Sequence, residues 1–381
     1  MNDRNKNLLL NNAEYEAGKI VLDSMPTVLF VELTQNCNSH CIMCYRAYKY
    51  PAYRKELDMK DEIFNLVKEQ LFPTASIVDL RGIGESTLLK NFDKRLIETA
   101  DTGVKIRLVT NALLIKQALW KQLMEIGASV VISVDATNPK LMKTLGRGDF
   151  NRLIQSLEMA VNEREKSGNK GKLSFNTVVS GMNLKEIEKI VFLAKKYQVD
   201  KILLIPVDTS YMAKSALSLD KKRNKYHSYR TKASQLAIET GVELRFCGEY
   251  FEDDLILEKR MNRCLRPWAY CYIDYQGNVG FCDMTMGNYI MGNIQIEPLH
   301  DIWNNERYRL LRSLHVNSGQ GGSVDLECEY PPCNKCYKRR YIDFEDDINE
   351  NLKSKIVSAS DYPHDDGNKK GIINFFSRRK S

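Results

Sequence analysis

Residues 28–44 read Val-Leu-Phe-Val-Glu-Leu-Thr-Gln-Asn-Cys-Asn-Ser-His-Cys-Ile-Met-Cys. The first seven, residues 28–34, form a nearly continuous apolar run, as a strand buried on both faces requires. The run stops just before Cys37, which with Cys41 and Cys44 makes a CxxxCxxC set on the loop that follows. Soft thiolates suit iron–sulfur clusters, and three of them can hold three irons of a [4Fe–4S] cube. The fourth iron is then open to the amine and carboxylate of a small molecule. The alternative is a zinc site with His40 as fourth ligand.

Outward from this stretch, strand and helix alternate. Further apolar runs cover residues 76–80, 105–110, 130–134, 173–179 and 201–207. Between them lie helical patterns, such as Ile115, Leu119, Leu123 and Ile126, or Leu184, Ile187, Ile190, Val191 and Ala194. Six repeats predict an α/β fold, a parallel sheet covered by helices, in a barrel or partial barrel from about residue 20 to 210. Such folds place their chemistry at the C-terminal ends of the strands. Gly82-Ile83-Gly84-Glu85, Ser133 and Asp135 sit there.

Past residue 210 the pattern changes. Residues 221–239 read as a polar helix, 242–246 as a short strand, and 298–314 as a helix. Residues 269–274 and 278–281 flank a Tyr275-Gln276-Gly277 turn, which predicts a β-hairpin. Seven more cysteines stand at 247, 264, 271, 282, 328, 333 and 336, about two hundred cysteine-free residues beyond Cys44. The expected organisation is an N-terminal extension (1–24), the barrel (25–210), a connecting helix and strand (211–260), a small C-terminal auxiliary domain (261–345) and a charged, disordered tail (346–381).

Composition excludes several classes. The 381 residues are 43% hydrophobic and 28% charged, ample for a large core. Five of the seven net positive charges lie in residues 369–381, so the remainder is nearly neutral and no nucleic-acid partner is expected. No apolar stretch reaches the ~18 residues of a membrane helix, and the N-terminus lacks a signal-peptide core. A cytoplasmic location is expected, where thiols serve as metal ligands rather than disulfides.

The cysteine loop after the first strand resembles the radical S-adenosylmethionine (SAM) superfamily, which implies a partial (β/α)6 TIM-like barrel over residues 25–210. The resemblance implies that Cys37, Cys41 and Cys44 bind a [4Fe–4S] cluster and that SAM chelates its fourth iron. An electron entering SAM releases a 5′-deoxyadenosyl radical, which takes a hydrogen atom from substrate. Gly82-Ile83-Gly84-Glu85 is similar to the family's GGEP element, with Ser86 in place of proline, and implies contact of Gly84 and Glu85 with the SAM amino group. Ser133 and Asp135 resemble the ribose-binding position, although Asp135 could equally cap a turn. Arg147 resembles the arginine that pairs with the SAM carboxylate; the other reading is a solvated surface arginine. Asn111 and Asn176 are further strand-end candidates. Met43 stands where the family usually has an aromatic residue.

The second cysteine group resembles SPASM and twitch extensions. Cys264, Cys282, Cys333 and Cys336 would close one auxiliary [4Fe–4S] cluster, with a four-thiolate zinc knuckle as the alternative. Cys271 and Cys328 could replace a ligand, Cys271 could donate a hydrogen atom, and Cys247 reads as a core thiol. The implied function is that of an oxidoreductase, oxidising a carbohydrate-like or aminocyclitol metabolite with the auxiliary cluster as electron acceptor. A low-potential donor such as flavodoxin or ferredoxin would supply the electron. Maturation of a ribosomal peptide, by thioether formation or epimerisation, is the rival. It is opposed by the shortness of the segment before the first strand. A zinc-binding protein without catalysis is the third reading.

Overall fold

The computed structural model describes residues 3–46, 55–209, 216–246, 250–251, 264–282 and 289–317. Ten strands form one sheet in the order β10-β9-β8-β1-β2-β3-β4-β5-β6-β7. They are β1 (Val28–Val31), β2 (Ile77–Asp79), β3 (Lys105–Thr110), β4 (Ser129–Ser133), β5 (Lys172–Val179), β6 (Lys201–Pro206), β7 (Glu243–Phe246), β8 (Tyr270–Ile273), β9 (Asn278–Gly280) and β10 (Gly292–Asn293). From β8 through β1 to β7 every neighbour is parallel, and β9 and β10 are antiparallel. This is a partial TIM-like barrel in which strands alternate with helices.

Six strands were expected from periodicity, and each is present. Two differences concern the neighbours. The short strand β7 extends the barrel sheet by pairing with β6. The first arm of the hairpin, β8, pairs with β1 over Val28↔Tyr270 through Val31↔Ile273. The segment expected to form a separate auxiliary unit thus contributes a parallel strand to the barrel sheet. The hairpin turn is as expected, with Gly277 at φ +79°, the left-handed region that a glycine enters without steric cost. The single helix expected over 298–314 is two, Leu299–Trp303 and Glu306–Asn317.

The two faces of the sheet are chemically distinct. Leu29, Val31, Val78, Leu80, Ile106, Leu108, Val130, Ile132, Leu173, Phe175, Ile202 and Leu204 belong to the main core together with the helices. The alternate residues Val109, Val131, Leu203 and Ile205 form a separate small apolar cluster. Side chains of a strand alternate in direction, so these four mark the inner face of the barrel. Residues 318–381 lie outside the described residues, as do Cys247, Cys328, Cys333, Cys336 and the expected tail.

Candidate active site at the C-terminal ends of the strands

Two strand ends and one helix-terminal turn converge on the cysteine loop. The first is the turn after β2, where Glu85 N donates to Asn36 O at 2.7 Å. A Cβ on Gly84 would lie 2.3 Å from Thr34 O and 2.5 Å from Asn36 O, so only glycine lets these backbones meet. The second is the end of β3, where Asn111 Nδ2 donates to Asn38 Oδ1 (2.8 Å) and Ser39 Oγ (3.2 Å). The third is the Leu145-Gly146-Arg147 turn, whose carbonyls accept from Ile42 N (3.1 Å) and His40 N (3.0 Å). Gly146 has φ +71°, and a Cβ there would lie 2.1 Å from His40 O.

Glu85 holds two of these ends together. Its fully buried carboxylate accepts from Thr87 Oγ1 (2.6 Å), Thr110 Oγ1 (2.7 Å) and Asn111 N (2.7 Å). Burial raises its pKa against the pull of those donors. The side chain expected to meet SAM is therefore engaged in positioning Asn111.

Asp135 and Arg147 form one unit. Arg147 Nε is bonded to Asp135 Oδ2, and Asp135 Oδ1 accepts from Val178 N at 2.7 Å. Both side chains are nearly or wholly buried. Burial disfavours the guanidinium charge, but Asp135 and Cys41 outweigh it and hold Arg147 firmly protonated. Arg147 is thus an interior cation beside the thiols, and the solvated-surface alternative does not describe it. Ser133 lies half-buried at the end of β4. Asn176 stands opposite it on β5.

The thiols themselves are sheltered. Cys41 is buried, and Cys37 and Cys44 are half-buried. Burial, with Glu85 and the neighbouring thiols adding to it, pushes the Cys37 thiol up to about 12. A thiolate here requires a cation, and a coordinating metal deprotonates a thiol outright. His40, the alternative zinc ligand, is exposed. Among the described residues no three His, Cys, Asp or Glu side chains converge on a single metal ion. Thiolates that each take a different iron of a cube stand wider apart than ligands sharing one ion.

Of the second group, Cys264 is half-buried and Cys282 buried. Cys271 is fully buried in the main core, on the outer side of β8, and burial raises its pKa. Alternation points it away from the inner face that Tyr270 and Tyr272 share. The structure does not bring it to the strand ends.

Comparison with known proteins decides the family. The radical SAM superfamily model matches residues 31–194. A SPASM model, an iron–sulfur cluster-binding domain, matches residues 264–337. Together they span more than half of the chain.

The chain belongs to the radical SAM superfamily.

It is a radical SAM enzyme with a SPASM-type domain, and these domains bind a [4Fe–4S] cluster, SAM and auxiliary iron–sulfur centres. The residues fit the first set: three thiols and no fourth on one loop, an interior arginine beside them, and a glycine-built turn at closest approach. The chain is 24% identical over 330 residues (83% of it, 88% of the relative) to a "tungsten-containing aldehyde ferredoxin oxidoreductase cofactor-modifying protein" of Pyrococcus furiosus. It is 25% identical over 352 residues (84% and 94%) to an "AdoMet-dependent heme synthase" of Methanosarcina barkeri. Its fold is similar to that of Streptococcus suis SuiB bound to SAM, at TM-score 0.59, 19% identity and coverage of 79% and 71%. It is also similar to anSMEcpe with bound AdoMet, at TM-score 0.60, 18% identity and coverage of 76% and 84%. No helix among the described residues is long and apolar enough to cross a membrane.

Sequence reasoning missed two residues that shape this end of the barrel. Glu32, the only acidic residue in the first strand run, carries Ile83 N (2.7 Å), Gln35 Nε2 (2.6 Å) and Tyr272 Oη (2.6 Å) on its carboxylate. Burial pushes its pKa up to about 7. Its readable signal was a charge inside an apolar strand. Tyr272 offered none, because its partner lies 240 residues away.

Proposed function

We propose that Cys37, Cys41 and Cys44 hold the SAM-cleaving cluster. Gly82 to Glu85 and Arg147 receive the amino acid end of SAM, and Ser133 at the end of β4 faces its ribose. Cys264 and Cys282, with Cys333 and Cys336 from outside the described residues, hold one auxiliary [4Fe–4S] cluster. The reaction is oxidation of an alcohol or amine carbon in a small metabolite. The observation that carries the reading is the tying of two strand ends and a helix-terminal turn to one three-cysteine loop, through Glu85, Asn111 and Gly146.

When bound, SAM and the clusters supply a carbon-centred radical and a one-electron acceptor. The substrate loses a hydrogen atom, then one electron and one proton, and its C–O or C–N bond becomes double. The chain's part is positional. Asp135 fixes Arg147 against Val178 N; Glu85 fixes Asn111; Glu32 fixes the Gly82–Ile83 backbone. A low-potential flavodoxin or ferredoxin is the expected source of the electron. The two curated relatives, compared over most of their length, bear names of a cofactor-modifying protein and a heme synthase, which favours a small organic substrate. Peptide maturation is the second reading, favoured by SuiB having been captured with its precursor peptide SuiA.

Anaerobic reconstitution tests the proposal. About eight irons per chain and SAM-dependent release of 5′-deoxyadenosine are expected. Cys37→Ala retains about four irons and releases none, and Cys271→Ser retains about eight. About twelve irons would show a third cluster, and zinc without SAM cleavage would overturn the reading.

A further inference from the structure

Electrons for a SAM-cleaving cluster come from outside the chain, and the cysteine loop meets solvent at His40. Cys41 is buried while its neighbour His40 is exposed, so a proposed cluster ligand is one residue from the surface. The loop is backed here by the turn that ends the helix Pro139–Thr144. His40 N and Ile42 N donate to Gly146 O and Leu145 O, and Ser39 Oγ donates to Arg147 O at 3.5 Å. Cys41 Sγ itself lies 3.7 Å from Gly146 O. This short helix and its turn are the layer packed against Cys41.

The layer is cationic. Residues 136–148 contain Lys140, Lys143 and Arg147 and no acidic residue, and the loop from residue 33 to residue 46 contains none either. Arg147 is spent inward on Asp135, whereas Lys140 and Lys143 are exposed. The two lysines are three residues apart, on one face of the helix. Neither ammonium has an ion-pair or hydrogen-bond partner among the described residues. Other helices balance such lysines within a turn, as in Lys94–Glu98, Lys121–Glu125 and Lys189–Glu186; this one does not. Arg152, exposed in the first turn of the adjoining helix Phe150–Lys166, adds a third cation. The only acidic residue in 136–152 is Asp149, and its Oδ1 accepts from Asn151 N (2.7 Å) and Arg152 N (3.2 Å).

We propose that Lys140 and Lys143, with Arg152, dock the protein that reduces the cluster, and that this protein is a small one-electron carrier with an acidic face. The assignment rests on the radical enzyme reading above and adds to it the place where the donor sits. In the docked complex the carrier is oxidised and the cluster reduced by one electron, with no bond made or broken. Exposed charges at such an interface set the encounter rate and its salt dependence. A small inorganic reductant needs no docking surface, so it separates docking from everything that follows.

The test uses the anaerobically reconstituted enzyme, a bacterial flavodoxin of net negative charge, and dithionite as the small reductant. Flavodoxin binding is measured calorimetrically, and 5′-deoxyadenosine release is measured with each reductant. The double variant Lys140→Glu, Lys143→Glu binds flavodoxin about tenfold more weakly, and release driven by limiting flavodoxin falls in step. Its dithionite-driven release equals that of the parent. The control Lys170→Glu, Lys195→Glu changes the net charge equally, on exposed residues that precede β5 and β6 at the other end of the barrel. It leaves flavodoxin binding at the parent value. Unchanged binding in the first variant, an equal loss in the control, or no flavodoxin binding by the parent overturns the proposal. Lys140→Gln, Lys143→Gln, with half the charge change, shows a smaller loss and serves if the glutamate pair lowers iron content. No dithionite-driven release from the parent would sink the radical reading, whereas release with flavodoxin binding indifferent to Lys140 and Lys143 sinks only this inference.

Discussion

Tyr272 Oη donates to Glu32 Oε2 at 2.6 Å, joining the strand that leads into the cysteine loop to a strand from the SPASM segment. The same oxygen accepts from Ile83 N in the turn after β2. Gly82 allows this: a Cβ there would lie 2.3 Å from Glu32 Cγ. One buried carboxylate therefore fixes the proposed SAM turn, the first strand and the C-terminal segment relative to one another.

Glu32 makes stability depend on pH. Its pKa in the folded protein is raised to about 7, chiefly by burial, above the ordinary glutamate value. The folded state then holds a proton that the unfolded chain has released. Stability is greatest below the unfolded value and falls as pH rises toward and through about 7, by an amount of order 3 kcal/mol. Chemical denaturation of the wild type and Glu32→Gln between pH 5 and 8 measures this. The wild type loses stability across the range more steeply than the variant; parallel slopes would contradict it.

Gly146 and Gly168 have nearly the same backbone, φ +71° and +72°, but different surroundings. A Cβ on Gly168 meets nothing within 4 Å, whereas one on Gly146 would lie 2.1 Å from His40 O. Gly168→Ala costs about 1 kcal/mol of backbone strain and leaves iron loading unchanged. Gly146→Ala costs more and at least halves the iron retained, because the turn that holds His40 and Ile42 is forced off the cysteine loop. Thermal melting and iron analysis of the two variants separate strain from displacement.

Asp135→Asn removes the charge that compensates the buried Arg147. Leaving one member of a buried pair uncompensated costs roughly 3–5 kcal/mol. If Arg147 meets the SAM carboxylate as proposed, the half-saturating SAM concentration for 5′-deoxyadenosine release rises at least tenfold. Arg147→Lys, which keeps the charge but loses the planar fork, should lie between. A variant that loses stability while binding SAM normally would show that the pair is structural alone.

The sequence by itself determined the cysteine loop, the six strands of the barrel and the hairpin turn at Gly277. Each rests on local chemistry: thiol spacing, continuous apolar runs between helical patterns, and a glycine needed at positive φ. It also contained the charges at Glu32, Asp79 and Arg107, placed inside otherwise apolar strands. What those charges do was decided only by tertiary structure. β8 pairs with β1 across more than two hundred residues, and parallel pairing leaves no mark in either strand. A strand buried on both faces does not show which face is the interior; the small cluster of Val109, Val131, Leu203 and Ile205 settles that. Asp135, read as a ribose ligand, is bonded to Arg147 because the turn that ends the helix Pro139–Thr144 brings the arginine back onto it. Cys271, one of ten similar thiols in the sequence, is sent into the core on the outer side of the sheet by the parity of its position in β8.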